Sequence, residues 1–248
     1  MTFYDRYIGG ETEKVYEEIY SLKQDAFLPE NFSEIQKVLT ETFERTAYNL
    51  EVIYGELKKI DYLFKTEFEY NFQRPLIKPL ENTEELLSKL DQNVRPLGYV
   101  PLSLKMFYRI VGACNFGWDY DTNEDFIWQC ADLIQIVSLD DLQSHVSNEY
   151  WASDMKDGLQ KHYKYPFLEV SADYLHKDNI SGGPAYAIQI TTEPSIDGLL
   201  LEESHNTTFI NYLRICFRNC GFPRITLPEY KNEYQAFFAT VKPRLKEI

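Results

Sequence analysis

Basic residues are scarce in this sequence. Its 248 residues include 25 lysines and arginines against 39 aspartates and glutamates, which gives a formal net charge of -14. Proteins that bind nucleic acid need a basic surface, because lysine and arginine neutralise phosphates and release their counterions. The acidic balance therefore predicts a protein that does not bind nucleic acid.

Long apolar segments are also missing. No uncharged apolar run approaches the roughly 18 residues that a membrane-spanning helix needs. Residues 1–6 lack the basic start and the continuous apolar stretch of a signal peptide. Hydrophobic residues nevertheless make up 44% of the chain, which is enough to form a core. We therefore expect a cytoplasmic protein of one or two domains that does not enter a membrane.

Cysteine is rare, and its spacing is not that of a disulfide-rich domain. The four cysteines are Cys114, Cys130, Cys216 and Cys220, and only the last two are close in sequence. Small secreted domains have a denser framework than this. A metal or redox role for Cys216 and Cys220 would need further ligands that the sequence does not supply nearby. The pattern predicts buried free thiols.

Catalytic motifs are absent too. The four histidines occur outside HExxH, HxH and Cys–His metal patterns, and there is no Gly-x-Ser-x-Gly elbow or phosphate loop. Asp173 and His176, three residues apart, are the one candidate acid–base pair. The alternative is that Asp173 caps a short helical turn and leaves His176 and Lys177 partly exposed. We therefore expect no enzyme activity, no cofactor and no metal ion.

The first third of the chain has a helical pattern. Residues 11–24 form one predicted helix, and Asn31 and Glu34 form the predicted capping box of a second one. Apolar positions then recur every three or four residues from Ile35 to Phe64, so one face of a long helix is apolar. This stripe is either a coiled-coil seam or a face packed on its own domain. The sequence therefore leaves open a monomer or a homodimer, and residues 1–92 are expected to form an N-terminal helical region.

The rest of the chain mixes both element types. Apolar and aromatic runs predict strands at residues 113–118, 133–137, 165–170 and 185–190. Helices are predicted at residues 83–90, 102–111, 139–151, 207–217 and 233–246. Ser138 or Asp140 is the expected start of the third of these, and Thr207 or Thr208 of the fourth. The expected fold class is therefore α+β, with residues 93–248 as the mixed domain.

Several segments of this mixed region resemble the SUKH superfamily. Residues 99–112 read YVPLSLKMFYRIVG, and residues 170–183 read VSADYLHKDNISGG. Residues 208–214 read TFINYLR and are followed by CGFP at 220–223. The resemblance covers residues 95–225. Cys220 and Arg224 depart from the pattern, which has glycine at the first position and often at the second.

The SUKH superfamily includes cell-wall assembly regulator-like proteins and many immunity proteins of bacterial toxin systems. The resemblance implies a mostly antiparallel sheet flanked by helices, here with the N-terminal helical region as an extension. It also implies a protein without a catalytic centre that acts by binding another protein. Immunity members neutralise a cognate toxin, often a nuclease, by direct contact, whereas the regulator-like members act as scaffolds.

The residues themselves point to protein binding from another direction. No lysine or arginine occurs between Arg109 and Lys156, and this stretch contains all three tryptophans. Acids accelerate the encounter with a basic partner, and large aromatic side chains supply most of the affinity after docking. The candidate partner-binding residues are Trp118, Asp119, Tyr120, Asp121, Glu124, Asp125 and Trp128. The alternative is that the tryptophans are core residues and the acids an ordinary solvated rim.

Two further features of the sequence concern its acidic residues. A second segment without basic residues, between Lys177 and Arg214, contains five acids: Asp178, Glu193, Asp197, Glu202 and Glu203. The order Asp119-x-Asp121 is also found in calcium loops, but the glycine and final glutamate of an EF-hand are missing. The leading hypothesis is therefore an immunity protein that binds a basic toxin. The alternative is a regulatory scaffold that uses its N-terminal helices.

Overall fold

The computed structural model describes residues 1–65, 74–120, 128, 131–225 and 233–248. It is 52% helical and 11% strand, and its strands form small antiparallel sheets flanked by helices. The expected fold class, an α+β protein with an N-terminal helical extension, is therefore confirmed. None of the helices in these ranges is long and apolar enough to cross a membrane.

The helices are α1 (Phe3–Ile8), α2 (Thr12–Ser21), α3 (Pro29–Lys59), α4 (Thr83–Val94), α5 (Leu102–Ile110), α6 (Leu139–Val146), α7 (Trp151–Lys161), α8 (Tyr174–Lys177), α9 (Phe209–Arg218) and α10 (Glu233–Val241). Two short 3-10 helices cover Lys23–Phe27 and Lys242–Arg244. The strands are β1 (Leu76–Ile77), β2 (Ala113–Asn115), β3 (Gln135–Ile136), β4 (Phe167–Ser171), β5 (Tyr186–Gln189) and β6 (Leu200–Leu201).

The long helix α3 starts earlier than the sequence predicts. Its first residue is Pro29, and Leu28 occupies the N-cap position without a side-chain hydrogen bond. Proline suits the first turn of a helix, because its backbone angle is already helical and its missing N–H would have no partner there. The predicted capping box of Asn31 and Glu34 is therefore wrong.

The apolar stripe of α3 is buried within the protein. Ile35, Phe43 and Ile53 are all 0% exposed. Helix α3 packs on α1, α5 and α10, and the ring of Phe43 lies edge-on to Phe107 of α5 at 6.3 Å between centroids. Because this face is already covered, the coiled-coil interpretation of the stripe is wrong.

The strands of the described ranges form two sheets with the orders β1-β2-β3 and β4-β5-β6, and every pair is antiparallel. The backbone N–H of Val137 donates to the carbonyl of Val170 at 2.8 Å, which connects the two sheets. One face of β4 and β5, with Leu168, Val170 and Ile188, is buried. The opposite face carries Phe167 and Glu169 and is the floor of a surface groove.

A buried carboxylate connects the N-terminal helices to the mixed region. The Tyr16 hydroxyl of α2 donates to Asp197 Oδ2 at 2.7 Å, and the Ser103 hydroxyl of α5 donates to Oδ1 at 2.6 Å. The backbone N–H of Ile210, in the first turn of α9, donates to Oδ2 at 3.0 Å. Buried residues of both regions also belong to one hydrophobic cluster. The expected boundary near residue 92 therefore does not divide the core.

Candidate protein-binding groove

The two tryptophans of the predicted partner surface lie in the core. Trp118 is 5% exposed and Trp128 is 1% exposed. The ring of Trp118 packs edge-on to Tyr62 at 5.0 Å, and that of Trp128 packs edge-on to Phe222 at 4.9 Å. Their apolar area is already buried against other rings. The prediction that Trp118 and Trp128 contact a partner is therefore wrong.

The remaining members of that prediction divide into two groups. Asp119 is buried, and the hydroxyl of half-buried Tyr120 donates to Asp178 Oδ1 at 3.2 Å, so neither is a freely exposed contact. Asp121, Glu124 and Asp125 lie outside the described residues, and so does the rest of the calcium-like sequence. For these three acids the prediction of partner binding stays a prediction.

The candidate acid–base pair has a structural role. Asp173 is the N-cap of α8 and accepts from the backbone N–H of Leu175 at 2.9 Å. Its other oxygen contacts Nδ1 of His176, a side chain that is 52% exposed. Lys177 is buried and pairs with Asp132, so the expectation that it is partly exposed is wrong. The residues of this segment are used chiefly to hold the fold together.

Three of the cysteines are buried free thiols, as the sequence predicts: Cys114, Cys216 and Cys220. Burial raises the pKa of Cys114 and of Cys220 to about 12. Such thiols are poor nucleophiles and poor metal ligands, because both roles need the thiolate. Cys130 lies outside the described ranges. Within those ranges, no group of three or more potential ligands is placed to hold a metal ion.

The exposed face of the sheet β4-β5-β6 forms the floor of a groove of about 610 Å³. The groove is lined by residues 162–165, 167, 169, 184–185, 187, 199–204 and 206. One wall is the segment before β4, and the other is the turn after β6. A side pocket of about 400 Å³ adjoins it and shares Tyr163, Phe167 and Glu169 with the groove.

The aromatic wall of the groove is held in place although it faces solvent. Tyr163 is 44% exposed, and its ring lies edge-on to Phe167 at 4.9 Å between centroids. The other side of the Tyr163 ring lies against Gly158 of α7, where an added Cβ would be only 2.2 Å from the ring. The ring of Tyr163 can therefore occupy this position only because Gly158 has no side chain.

The side pocket lies where the predicted helix 139–151 ends early: α6 stops at Val146, and a second helix that the sequence did not predict, α7, begins at Trp151. Ser138 caps the first, as predicted, by accepting from the N–H of Asp141 at 3.4 Å. The chain then turns at Asn148, whose side-chain oxygen accepts from the N–H of Tyr150 at 2.9 Å. This local hydrogen bond competes with helix continuation, as asparagine side chains commonly do. Tyr150 and α7 consequently form one wall of the pocket.

The groove carries more negative than positive charge. Its lining includes Glu169, Glu202 and Glu203 against a single lysine, Lys164. Glu169 and Glu202 are exposed, and neither forms an ion pair with a residue that the structure describes. Glu203 is buried and accepts from the backbone N–H of His205 at 2.8 Å. The exposed carboxylates are thus available to a cationic ligand.

A second cleft, of about 440 Å³, lies between the start of α2 and residues 242–248. Its cationic side chains already have partners in the fold. Arg218 pairs with Glu13, and Arg214 donates to the carbonyl oxygens of Ile248 at 2.7 Å and Thr12 at 3.2 Å. This cleft therefore offers a partner fewer available charges than the groove does.

Only part of this site is visible in the sequence. Glu202 and Glu203 are two of the five acids in the second segment without basic residues, whereas Tyr163, Phe167 and Glu169 were not among the predicted site residues. The available signal was the order Tyr163-x-Tyr165-x-Phe167, an alternation that places aromatic side chains at the start of β4. Comparison with family models, with curated proteins and with solved structures found no match for the chain.

Proposed function

We propose that this is a cytoplasmic binding protein of the SUKH immunity type, which neutralises a basic toxin by holding it in the groove. The observation that carries the proposal is an open groove with an aromatic wall and exposed carboxylates that form no ion pair with any residue in the described ranges. The resemblance of residues 95–225 to the SUKH superfamily is a separate support, and it supplies the immunity role and the toxin as partner.

The aromatic wall favours a protein as the ligand. Aromatic side chains dominate the affinity of protein interfaces, because they bury a large area and lose little conformational entropy on binding. Tyr163 is already fixed by Gly158 and Phe167 before any partner arrives. A fixed side chain has less entropy to lose, so binding to it costs less free energy.

The charges favour a basic partner. The exposed carboxylates at Glu169 and Glu202 are part of the acidic excess that gives the whole chain a net charge of -14. Long-range attraction of this kind raises the association rate of a basic protein and weakens as salt is added. A basic toxin, such as one that acts on nucleic acid, has the complementary charge.

We also propose that the protein acts without catalysis. Asp173 caps α8 and is 4% exposed, and Glu203 is 2% exposed and fixed by the turn that contains His205. Each carboxylate that lies beside a histidine thus already has a structural role. The toxin would be neutralised by occupation of its surface.

The test begins by identifying the partner, through affinity capture at low salt and elution with a salt gradient. The captured basic protein is then purified, and its association with the intact chain is measured by surface plasmon resonance. We expect Tyr163→Ala to increase the dissociation rate and Glu169→Lys to slow association. Glu44→Lys, at an exposed position of α3, is the matched control for the charge change.

The result that supports the proposal is a loss of both binding and toxin neutralisation in the groove variants but not in Glu44→Lys. Unchanged kinetics in folded Tyr163→Ala and Glu169→Lys would contradict the groove as the binding site. If charge reversal at Asp121, Glu124 and Asp125 slowed association instead, the surface predicted from the sequence would be the correct one. A captured partner without toxic activity would contradict the immunity role.

A further inference from the structure

The side pocket has the properties of a receptor for one particular type of side chain. We infer that it binds an arginine of the partner while the flanking segment lies in the groove, so this inference rests on the proposed function. The pocket lies between the start of α7 and the outer face of β4, and its volume of about 400 Å³ is within the usual range of about 300–1,000 Å³ for ligand pockets.

Two carboxylates make the pocket suitable for a cation. Asp154 and Glu169 both line it, and both are exposed. No lysine or arginine in the described part of the chain is paired with either of them, although many other surface acids of the protein have such a partner. A guanidinium group suits a pocket with more than one carboxylate, because its five N–H donors point in several directions in one plane.

Aromatic side chains make arginine a better ligand than lysine. Tyr150 is 63% exposed and Tyr163 is 44% exposed, and both line the pocket. The planar guanidinium group stacks on aromatic faces and is more weakly hydrated than the ammonium group of lysine. A ligand that stacks on a tyrosine and also contacts a carboxylate therefore matches arginine best.

The pocket wall is fixed by local hydrogen bonds before binding. The side chain of Asn148 accepts from the N–H of Tyr150 at 2.9 Å, and its carbonyl accepts from the N–H of Trp151 at 3.0 Å. The Ser153 hydroxyl donates to the carbonyl of Tyr150 at 2.7 Å. The start of α7, which carries Asp154, is thus held against the turn that precedes it.

The continuity between pocket and groove identifies a peptide chain as the source of the arginine. Phe167 and Glu169 on the outer face of β4 line both spaces. Because the two spaces share these residues, a segment that lies in the groove has the pocket directly beside it and can place one side chain there. A free small molecule would occupy the pocket alone and leave the aromatic wall beyond Tyr163 unused.

The inference can be tested without the partner by titrating three blocked peptides into the intact protein and following amide and indole NMR signals. The peptides are identical except for a central arginine, lysine or citrulline. Citrulline has nearly the shape of arginine but no charge. We expect the arginine peptide to bind with a Kd on the order of 1 mM and the citrulline peptide to bind at least about tenfold more weakly.

Variants locate the binding. The double variant Asp154→Asn/Glu169→Gln should abolish the difference between the arginine and citrulline peptides, because both charges in the pocket are removed. Glu149→Gln is the matched control, since Glu149 is exposed near the start of α7 but does not line the pocket. Signal changes should be largest at residues 148–155 and 163–169.

Equal binding of the arginine and citrulline peptides would overturn the inference, as would equal losses in the double variant and in Glu149→Gln. Free arginine that binds at least about tenfold more tightly than the blocked peptide would also overturn it, by indicating a free amino acid as the ligand. The proposed function is tested separately by Glu202→Lys, which changes the groove but not the pocket. If that variant weakens binding of the partner while the peptides fail, the inference is wrong and the proposed function stands.

Discussion

Lys177 donates to Asp132 Oδ1 at 2.7 Å in a site where the two side chains are 1% and 0% exposed. Asp132 Oδ2 also accepts from the hydroxyl of Tyr186 at 3.0 Å, and the ammonium group of Lys177 lies 4.6 Å from the centre of the Tyr186 ring. The pair connects α8 to β5 and to the chain just before β3. Because both charged groups are shielded from water, each needs the other to compensate its charge.

Removal of one partner should therefore destabilise the fold strongly. We expect Lys177→Met to lower the free energy of unfolding by about 3–5 kcal/mol, because a buried carboxylate is left without its counter-ion. Addition of Asp132→Asn should restore part of this loss, since asparagine removes the charge and tolerates the positive φ of 55° at this position. Urea unfolding of the three proteins measures both effects. A double variant no more stable than Lys177→Met would show that the unpaired charge is not the cause.

The carboxyl group of Asp197 should also stabilise the fold, and its contribution to the free energy of unfolding should depend on pH. Asp197→Ala removes the acceptor of the Ser103 hydroxyl and of two backbone N–H groups. It also removes one of the two partners of the Tyr16 hydroxyl, which contacts Thr208 Oγ1 at 2.6 Å as well. We expect the free energy of unfolding to fall by on the order of 3 kcal/mol or more. Tyr16→Phe removes one hydroxyl and should cost about 1–2 kcal/mol. A similar loss in both variants, measured by urea unfolding, would contradict a shared role for the four donors.

The dependence of this stabilisation on pH follows from the direction in which the pKa of Asp197 is shifted. Burial raises the pKa of Asp197 above its ordinary value of 3.8, although the four donors act in the opposite direction. The folded state therefore binds this proton more tightly than the unfolded state does. The contribution of the group to stability is full below pH 3.8 and is lost as the pH rises through the raised pKa. The free energy of unfolding of wild type minus that of Asp197→Asn should accordingly increase as the pH falls, and a constant difference would contradict the raised pKa.

Local sequence signals identified many of the elements but not their surroundings. Ser138 and Thr208, each one of two alternative helix starts in the sequence, occupy the N-cap positions of α6 and α9, because a cap and its helix are adjacent in sequence. Only Ser138 forms a side-chain capping hydrogen bond. The burial of Trp118 depends on Tyr62, more than fifty residues away, and the pairing of Lys177 depends on Asp132. An apolar stripe has the same period in a core helix as in a coiled coil, so the pattern of α3 did not reveal which of the two it is.

The groove was harder to predict, for a related reason. Its walls come from the segment before β4 and the turn after β6, and its side pocket also needs the start of α7. Alternation along β4 places Phe167 and Glu169 on one face, but it does not reveal that this face stays uncovered. That depends on where the helices pack. The lack of basic residues around Glu202 and Glu203 is visible in the sequence alone, but it does not distinguish these two acids from the other three of the same segment.

Substitutions on α3 can distinguish the two interpretations of its apolar stripe, packing within the protein core and a coiled-coil dimer interface. Phe43→Ala should lower the free energy of unfolding by about 3–5 kcal/mol, because a fully buried ring is removed from its contact with Phe107. Tyr48→Ala, on the exposed side of the same helix, should cost less than about 1 kcal/mol. Sedimentation velocity should give the same mass for wild type and both variants. A lower mass for Phe43→Ala, with its stability unchanged, would restore the coiled-coil interpretation.

The buried thiols should be unreactive until the protein unfolds. The pKa values of Cys114 and Cys220 are about 12, and burial also raises that of Cys216, so few thiolates exist near pH 8. In a Cys130→Ser background we expect no reaction with a thiol reagent in the folded state and three reactive thiols after unfolding. Because these pKa values are higher in the folded state, stability should fall as the pH rises above the ordinary value of 9.0. Rapid labelling of the folded protein would contradict the burial of these side chains.

A substitution at Gly158 should change the shape of the groove without lowering the stability of α7. Alanine is a better helix former than glycine by about 1 kcal/mol, so Gly158→Ala should leave the stability of the protein unchanged or slightly increased. The added methyl group would collide with the ring of Tyr163, which must then move from its place beside Phe167. We expect a weaker complex with the basic partner, mainly through faster dissociation, since a fixed aromatic contact is lost.

Ser153→Ala, elsewhere on α7, is not suitable as a control because its hydroxyl holds the start of the helix. Lys156→Ala at an exposed position is suitable, and it should change neither stability nor dissociation. If Gly158→Ala binds the partner as wild type does, the fixed position of Tyr163 has no role in recognition.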